Sequence, residues 1–208
     1  MNIKSERIAS VVEETSAGMG AIPLIPLYLK KGIVFLTGTI TEVKAEEIIS
    51  QIFYCKSNNL PVHLLINSGG GAVTAGLAIL DVLRTIDLEI NTYCIGIAAS
   101  MAAVILAGGD KGHRFILPHS KVMIHEPLIS DGIGGAASSV QRSVEVLLKA
   151  KDVLNGILSE FTGKDREQID EATQFDHFYD ANEAKAFGLV DQVIDNPSIY
   201  TIILKGDK

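Results

Sequence analysis

Along this chain, short segments dominated by apolar residues alternate with longer stretches whose apolar positions recur every three or four residues. The runs Ile33 to Leu36, Val62 to Ile66, Ile90 to Ile95, Phe115 to Leu117 and Val122 to Ile124 predict buried strands. Between them, Lys44 to Asn58 carries helical spacing at Ile48, Ile49, Ile52 and Phe53, and Thr74 to Thr85 and Met101 to Ala107 also predict helices. Repeated strand–helix units imply a largely parallel sheet with helices outside it and right-handed crossovers. No repeat or low-complexity tract interrupts the pattern.

The second half departs from this rhythm. After the glycine-rich segment Ile129 to Gly135, apolar residues recur at Val140, Val144, Leu147, Val153, Leu154, Ile157, Leu158 and Phe161. That spacing predicts one helix of about 25 residues, roughly 40 Å long, closed by Gly163 as its C′ residue. By periodicity alone such a helix packs along its own domain. Its length also lets it project beyond a small α/β core, in which case its apolar stripe needs a partner.

The length of 208 residues suits one domain with an appendage. A hydrophobic content of 47% and a mean hydropathy of +0.28 exceed what a core requires, and the excess is expected to meet other subunits. A net charge of −7 without a basic cluster excludes nucleic acid as the expected partner. Cys55 and Cys94 form no CxxC and are expected to stay reduced. Met1 to Ser16 does not read as a signal peptide, and the apolar run Ala21 to Leu29 contains Pro23 and Pro26. It is far shorter than the ~20 residues of a membrane helix. The expectation is a compact cytoplasmic protein with no membrane contact.

Candidate chemistry centres on Ser100, in the small-residue run Gly96 to Ala103, where a predicted strand turns into a predicted helix. A hydroxyl there sits beside free backbone N–H groups at the positive end of a helix. On this segment alone, a helix N-cap is the commoner reading. A nucleophile needs a base, and the base an orienting group. Of five histidines, His125 ends an apolar strand just before Pro127, a position that commonly faces a cleft. Asp176 lies between aromatics, where a carboxylate can be partly buried and aimed at an imidazole. Its neighbour Asp180 reads instead as a helix N-cap with Glu183 completing a capping box. The loop Asn67-Ser68-Gly69-Gly70-Gly71 lacks both the Gly-Lys-Ser/Thr ending of a phosphate loop and the G-x-G-x-x-G spacing. Its glycines leave N–H groups exposed in a turn near Ser100.

Taken together, these segments resemble the proteolytic subunit of the Clp protease, the ClpP family of serine peptidases, from about Val34 to about Asp191. The ordered motifs are Ile66 to Gly71 with Val73-Thr74-Ala75-Gly76, Ala98 to Met101, Lys111-Gly112, Arg114-Phe115 with Leu117-Pro118, and Met123-Ile124-His125 with Pro127-Leu128. They continue with Leu158-Ser159-Glu160, Thr162-Gly163, Asp176, Ala184 and Gly188 to Asp191. The resemblance implies an α/β ClpP/crotonase-like fold of repeated β-β-α units with a protruding handle helix. It implies Ser100 as nucleophile, His125 as general base, Asp176 as orienting acid, and the N–H groups of Gly71 and Met101 as oxyanion hole. It further implies an axial segment over 1–32, a head over 33–128 and 162–195, a handle over 129–161 and a tail over 196–208.

As partners the resemblance implies unfolded polypeptides, seven-membered rings stacked into a tetradecamer through the handle, and an AAA+ Clp ATPase that uses the ATP. The chain itself is expected to hold no cofactor and no metal. Two weaker readings are a structural paralogue in a mixed complex and a crotonase-type acyl-CoA enzyme, although the latter normally uses carboxylates. Departures from the family pattern are Gly69 where proline is usual, and Gln174-Phe175 where an Asp-Arg pair makes contacts between rings. His63 and Leu65 replace tyrosines of the ATPase-docking pocket, and Ala17 to Leu29 differs from the usual axial region. They predict fragile ring stacking and weakened ATPase docking, and leave room for a second ClpP isoform.

Overall fold

The computed structural model describes residues 9–15, 18–129 and 134–195. Its centre is three successive strand–helix units. β1 (Ser10–Thr15), β2 (Gly18–Pro23) and α1 (Leu24–Leu29) precede them. The units are β3 (Ile33–Thr37) with α2 (Glu42–Ser57), β4 (Val62–Ser68) with α3 (Val73–Thr85), and β5 (Ile90–Ala99) with α4 (Met101–Ala107). Then follow β6 (Arg114–Ile116), β7 (Lys121–Ile124), α5 (Ala137–Thr162), α6 (Arg166–Thr173), β8 (His177–Tyr179), α7 (Ala181–Phe187) and β9 (Gln192–Val193). The main sheet runs β3-β4-β5-β6-β9, with β7 beside β5 and β8 beside β7. Every pairing in it is parallel except β7 with β8.

Alternation along the strands sorts the apolar residues into two layers. Val34, Leu36, Val62, Leu64, Ile66, Cys94 and Ile116 face the main core beneath α2, α3 and α4. Ile33, Phe35, Leu65, Tyr93, Ile95, Phe115 and Leu117 form a smaller cluster on the other face, joined by Tyr28 from α1. His63 lies in that second layer, buried, with its Nδ1 3.0 Å from the Tyr93 hydroxyl.

β5 is the pivot. Its first half pairs with β6 and its second half with β7. Between them the register against β4 slips, from Ile66↔Cys94 to Ser68↔Ala98, leaving two extra residues on β5. The Asn67 side chain fills this bulge and accepts from the Ile97 N–H at 3.2 Å. Gly96 is obligatory there, since a Cβ would lie 2.6 Å from Asn67 Oδ1. The bulge turns the end of β5 out of the sheet and towards α4.

The predicted long helix is α5, 26 residues, ending at Gly163 in the left-handed conformation (φ 74°) as its sequence indicated. Only Leu154, Asn155 and Leu158 of it are buried; Val144, Val146, Leu148 and Val153 are exposed. Its exposed apolar side chains fall on two opposite sides of the helix, Val144 and Leu148 on one and Val146 and Val153 on the other. Arg114, 1% exposed, locks the base of the sheet. It donates Nε to Asp191 Oδ2 (2.9 Å), Nη2 to Asp191 Oδ1 (2.6 Å), and Nη1 to the carbonyls of Ala107 and Phe161.

The β1–β2 hairpin and α1 were not anticipated, because the prolines of Ala21 to Leu29 mask the pattern. Pro23 ends β2, and Pro26 lies in the first turn of α1, where its missing N–H removes no helical bond. The resemblance implies a strand before the long helix of the handle; residues 130–133 of that segment, and the expected tail over 196–208, lie outside the described residues.

Candidate active site

The end of β5, the end of β7 and the start of β8 converge on one point. Ser100 lies between β5 and α4 with φ 56° and ψ −127°, a conformation that costs a non-glycine residue about 1–3 kcal/mol. Its N–H donates to the Met123 carbonyl (2.8 Å), and its own carbonyl accepts from Ala103 N–H (2.9 Å). The side chain makes no capping bond to α4, so the N-cap role is absent. The strained turn instead leaves Oγ free of the helix, a strand–turn–helix geometry of the kind seen in nucleophile elbows. Flanking alanines Ala98, Ala99 and Ala102 are buried and leave no side chain to block it.

The neighbour of Ser100 Oγ is His125, whose Nε2 lies 2.9 Å away. Its Nδ1 lies 3.2 Å from Asp176 Oδ1. A carboxylate on Nδ1 favours the tautomer that carries its proton there, leaving Nε2 to accept from the serine. Register explains the pairing. The antiparallel ladder of β7 and β8 ends at Ile124↔His177, which puts His125 opposite Asp176 as the next pair. The expectation of a partly buried Asp176 is corrected: its side chain is 63% exposed, against 13% for His125. Phe175 and Phe178 beside it point to the surface rather than over the carboxylate. Asp180 is the helix cap its sequence suggested, accepting from the N–H groups of Asn182 and Glu183, with Glu183 returning the bond.

The glycine loop packs directly on the nucleophile turn. Gly70 has φ +91°, and a Cβ on it would stand 2.7 Å from both Ala99 O and Ser100 Cβ. Ser68 ties the loop from beneath, donating Oγ to Gly38 O (2.5 Å) and accepting from Gly70 N–H (3.1 Å). Ile40 pairs with Gly71 as a parallel bridge, its N–H bonded to Gly70 O and its carbonyl to Ala72 N–H. That pattern turns the N–H of exposed Gly71 away from Ile40. Met101 is the first residue of α4, where an N–H has no intrahelical acceptor. An apolar recess lined by Val73, Met101, Leu154 and Leu158 adjoins Ser100 and His125.

The structure thus brings Ser100, His125 and Asp176 together and sets Gly70 and Gly71 beside the serine turn. Asn67 and Ser68, which shape the β5 bulge and the loop, went unnoticed in the sequence as supports. Their only signal is a pair of small polar residues ending an apolar strand. Among the described residues no group of histidine, cysteine and carboxylate side chains could hold a metal ion, and no helix is long and apolar enough to cross a membrane. A family model described as Clp protease matches residues 17–197.

Proposed function

The chain belongs to the Clp protease family, and from that premise we propose that it is a serine endopeptidase whose nucleophile is Ser100, general base His125 and orienting acid Asp176. The observation that carries this reading is the unbroken relay of 2.9 Å from Ser100 Oγ to His125 Nε2 and 3.2 Å from His125 Nδ1 to Asp176 Oδ1. Ser100 Oγ attacks the scissile carbonyl while His125 Nε2 takes its proton. Asp176 supports the imidazolium that results, and the N–H groups of Gly71 and Met101 receive the oxyanion. His125 then protonates the leaving amine, and water repeats the sequence on the acyl-enzyme.

The subunit works in a barrel of two seven-membered rings that admits unfolded polypeptide from a Clp ATPase. The exposed apolar side chains of α5, Val144 and Leu148 on one side and Val146 and Val153 on the other, support assembly through that helix. His63, buried against Tyr93, and half-buried Leu65 stand in the layer where the family's docking pocket carries tyrosines, which supports weakened docking of the ATPase. Peptide hydrolysis by wild type and its loss in Ser100→Ala test the reading. Unchanged turnover in Ser100→Ala contradicts it, and an inert but assembled wild type identifies a structural subunit instead.

A further inference from the structure

The long helix holds the two chain segments that bear the base and the acid. On α5, Lys151 Nζ lies 2.6 Å from Glu126 Oε2, one residue after His125. One turn on, buried Asn155 donates Nδ2 to Asp170 Oδ1 (2.6 Å) and to Thr173 Oγ1 (3.1 Å). Thr173 ends α6, three residues before Asp176, and is fully buried. The two segments are then sewn to each other, Glu126 N–H donating to Thr173 O at 2.7 Å.

The contact between His125 and Asp176 is therefore bracketed. On one side stands the β7–β8 ladder, ending at Ile124↔His177. On the other stands the Glu126–Thr173 bond, held to α5 by Lys151 and Asn155. Such a bracket is needed because Asp176 is mostly exposed and lacks walls to fix it. We propose that Asn155 and Lys151 are positioning residues for the triad, acting through Thr173 and Glu126 to hold His125 against Asp176. The inference rests on the serine-peptidase reading above.

The chemistry at Asn155 favours a directed role over filling space. Thr173 Oγ1 donates to the Ile169 carbonyl at 2.8 Å, so it must accept from Asn155. The Asp170 carboxylate likewise needs a donor, and the Asn155 amide contributes first, with Arg166 after it, to holding that carboxyl below its usual range. Among the described residues Asn155 Oδ1 is buried with no hydrogen-bond partner, while its Nδ2 makes both bonds to α6. The side chain is kept for its two donated bonds.

The test is the kinetics of Ser100 labelling by a fluorophosphonate in the assembled protein, with labelled amplitude and rate constant read separately. Thr173→Val removes the acceptor while keeping the shape, Thr173→Ser keeps the hydroxyl, and Asn155→Asp sets a carboxylate against Asp170. For Thr173→Val and Asn155→Asp the expected result is full amplitude with a rate constant lowered roughly 10- to 100-fold, the scale of a misplaced catalytic group. Short-peptide kcat falls with it while KM holds, and Thr173→Ser restores the rate. Lys151→Met, which removes a partly exposed pair, shows a smaller loss in the same direction. Unchanged rate constants in all four variants, with only the amplitude reduced, overturn the positioning role. Absence of labelling in wild type overturns the serine-peptidase reading itself, a distinguishable failure.

Discussion

Gly70→Ala probes the glycine loop with a single added methyl. The new Cβ would stand 2.7 Å from Ala99 O and from Ser100 Cβ, against an ordinary contact limit of 3.4 Å, so loop and serine turn must part by about 0.7 Å. Alanine at φ +91° adds strain of about 1–2 kcal/mol. At about 2–4 °C per kcal/mol for a chain of this size, the melting midpoint should fall by about 2–8 °C. Activity should suffer more, because the displaced segment leads into the Gly71 N–H. A shift approaching 1 Å costs up to ~10²-fold, and full loss of an oxyanion donor ~10²–10³-fold in kcat. The expected loss in kcat for a short peptide amide is therefore about 10- to 100-fold, with the protein still folded. Gly69→Ala is the control, since nothing lies within 4 Å of its Cβ. Wild-type turnover in Gly70→Ala, or equal damage in Gly69→Ala, would refute the placement of this loop in the site.

Asp176→Asn should lower kcat strongly while Asp180→Asn leaves most activity, because asparagine caps helices about as well as aspartate. A buried triad carboxylate sets a ceiling of ~10⁴-fold, and the 63% exposure of Asp176 predicts a loss below it; a worse defect in Asp180→Asn reverses the assignment. Burial opposes ionisation of Asp191, but the Arg114 hydrogen bonds and charge outweigh it and hold its carboxyl below the usual range. A depressed folded-state pKa gives stability that is present above the unfolded value of about 3.9 and lost as pH falls through the folded value. Asp191→Asn should therefore cost about 3–5 kcal/mol at neutral pH, by stranding buried Arg114, and flatten the acid limb of a stability–pH curve; equal stability of both proteins at pH 7 contradicts this. Phe175, 76% exposed, can bury apolar surface worth ~1.5–3 kcal/mol against a second ring. Sedimentation across a salt series should show a double ring that salt spares and Phe175→Ala weakens; a stable monomer, or the opposite dependence, counts against it.

The strand–helix alternation was legible because the strands are short segments dominated by apolar residues, such as Val62 to Ile66 with His63 as its one polar member. The end of α5 was legible because Gly163 adopts the left-handed turn glycine favours. The sequence around Ser100 favoured a cap. The motifs further along the chain reversed that reading, and the dihedral angles and missing cap bond of Ser100, which local composition does not show, agree with the reversal. Gly70 and His125 were visible as residue types suited to a close approach and a strand end. The exposure of Asp176 was not, because it depends on the three-residue strand β8 pairing with β7, some fifty residues earlier. Asn67, Asn155 and Thr173 escaped notice for the same reason. Their bonds join different elements, Asn67 to β5 and Asn155 to α6, and a single polar residue on a strand end or an amphipathic helix looks like one more solvated position.

The central claim is that Ser100 is an activated nucleophile. Treating the folded, assembled protein with a fluorophosphonate and locating the adduct by peptide mapping tests it most directly. The account predicts one adduct per chain, on Ser100, formed in wild type, slowed in His125→Ala and absent from unfolded protein. An adduct on another serine, or a wild-type Ser100 that labels no faster than in His125→Ala, would contradict it.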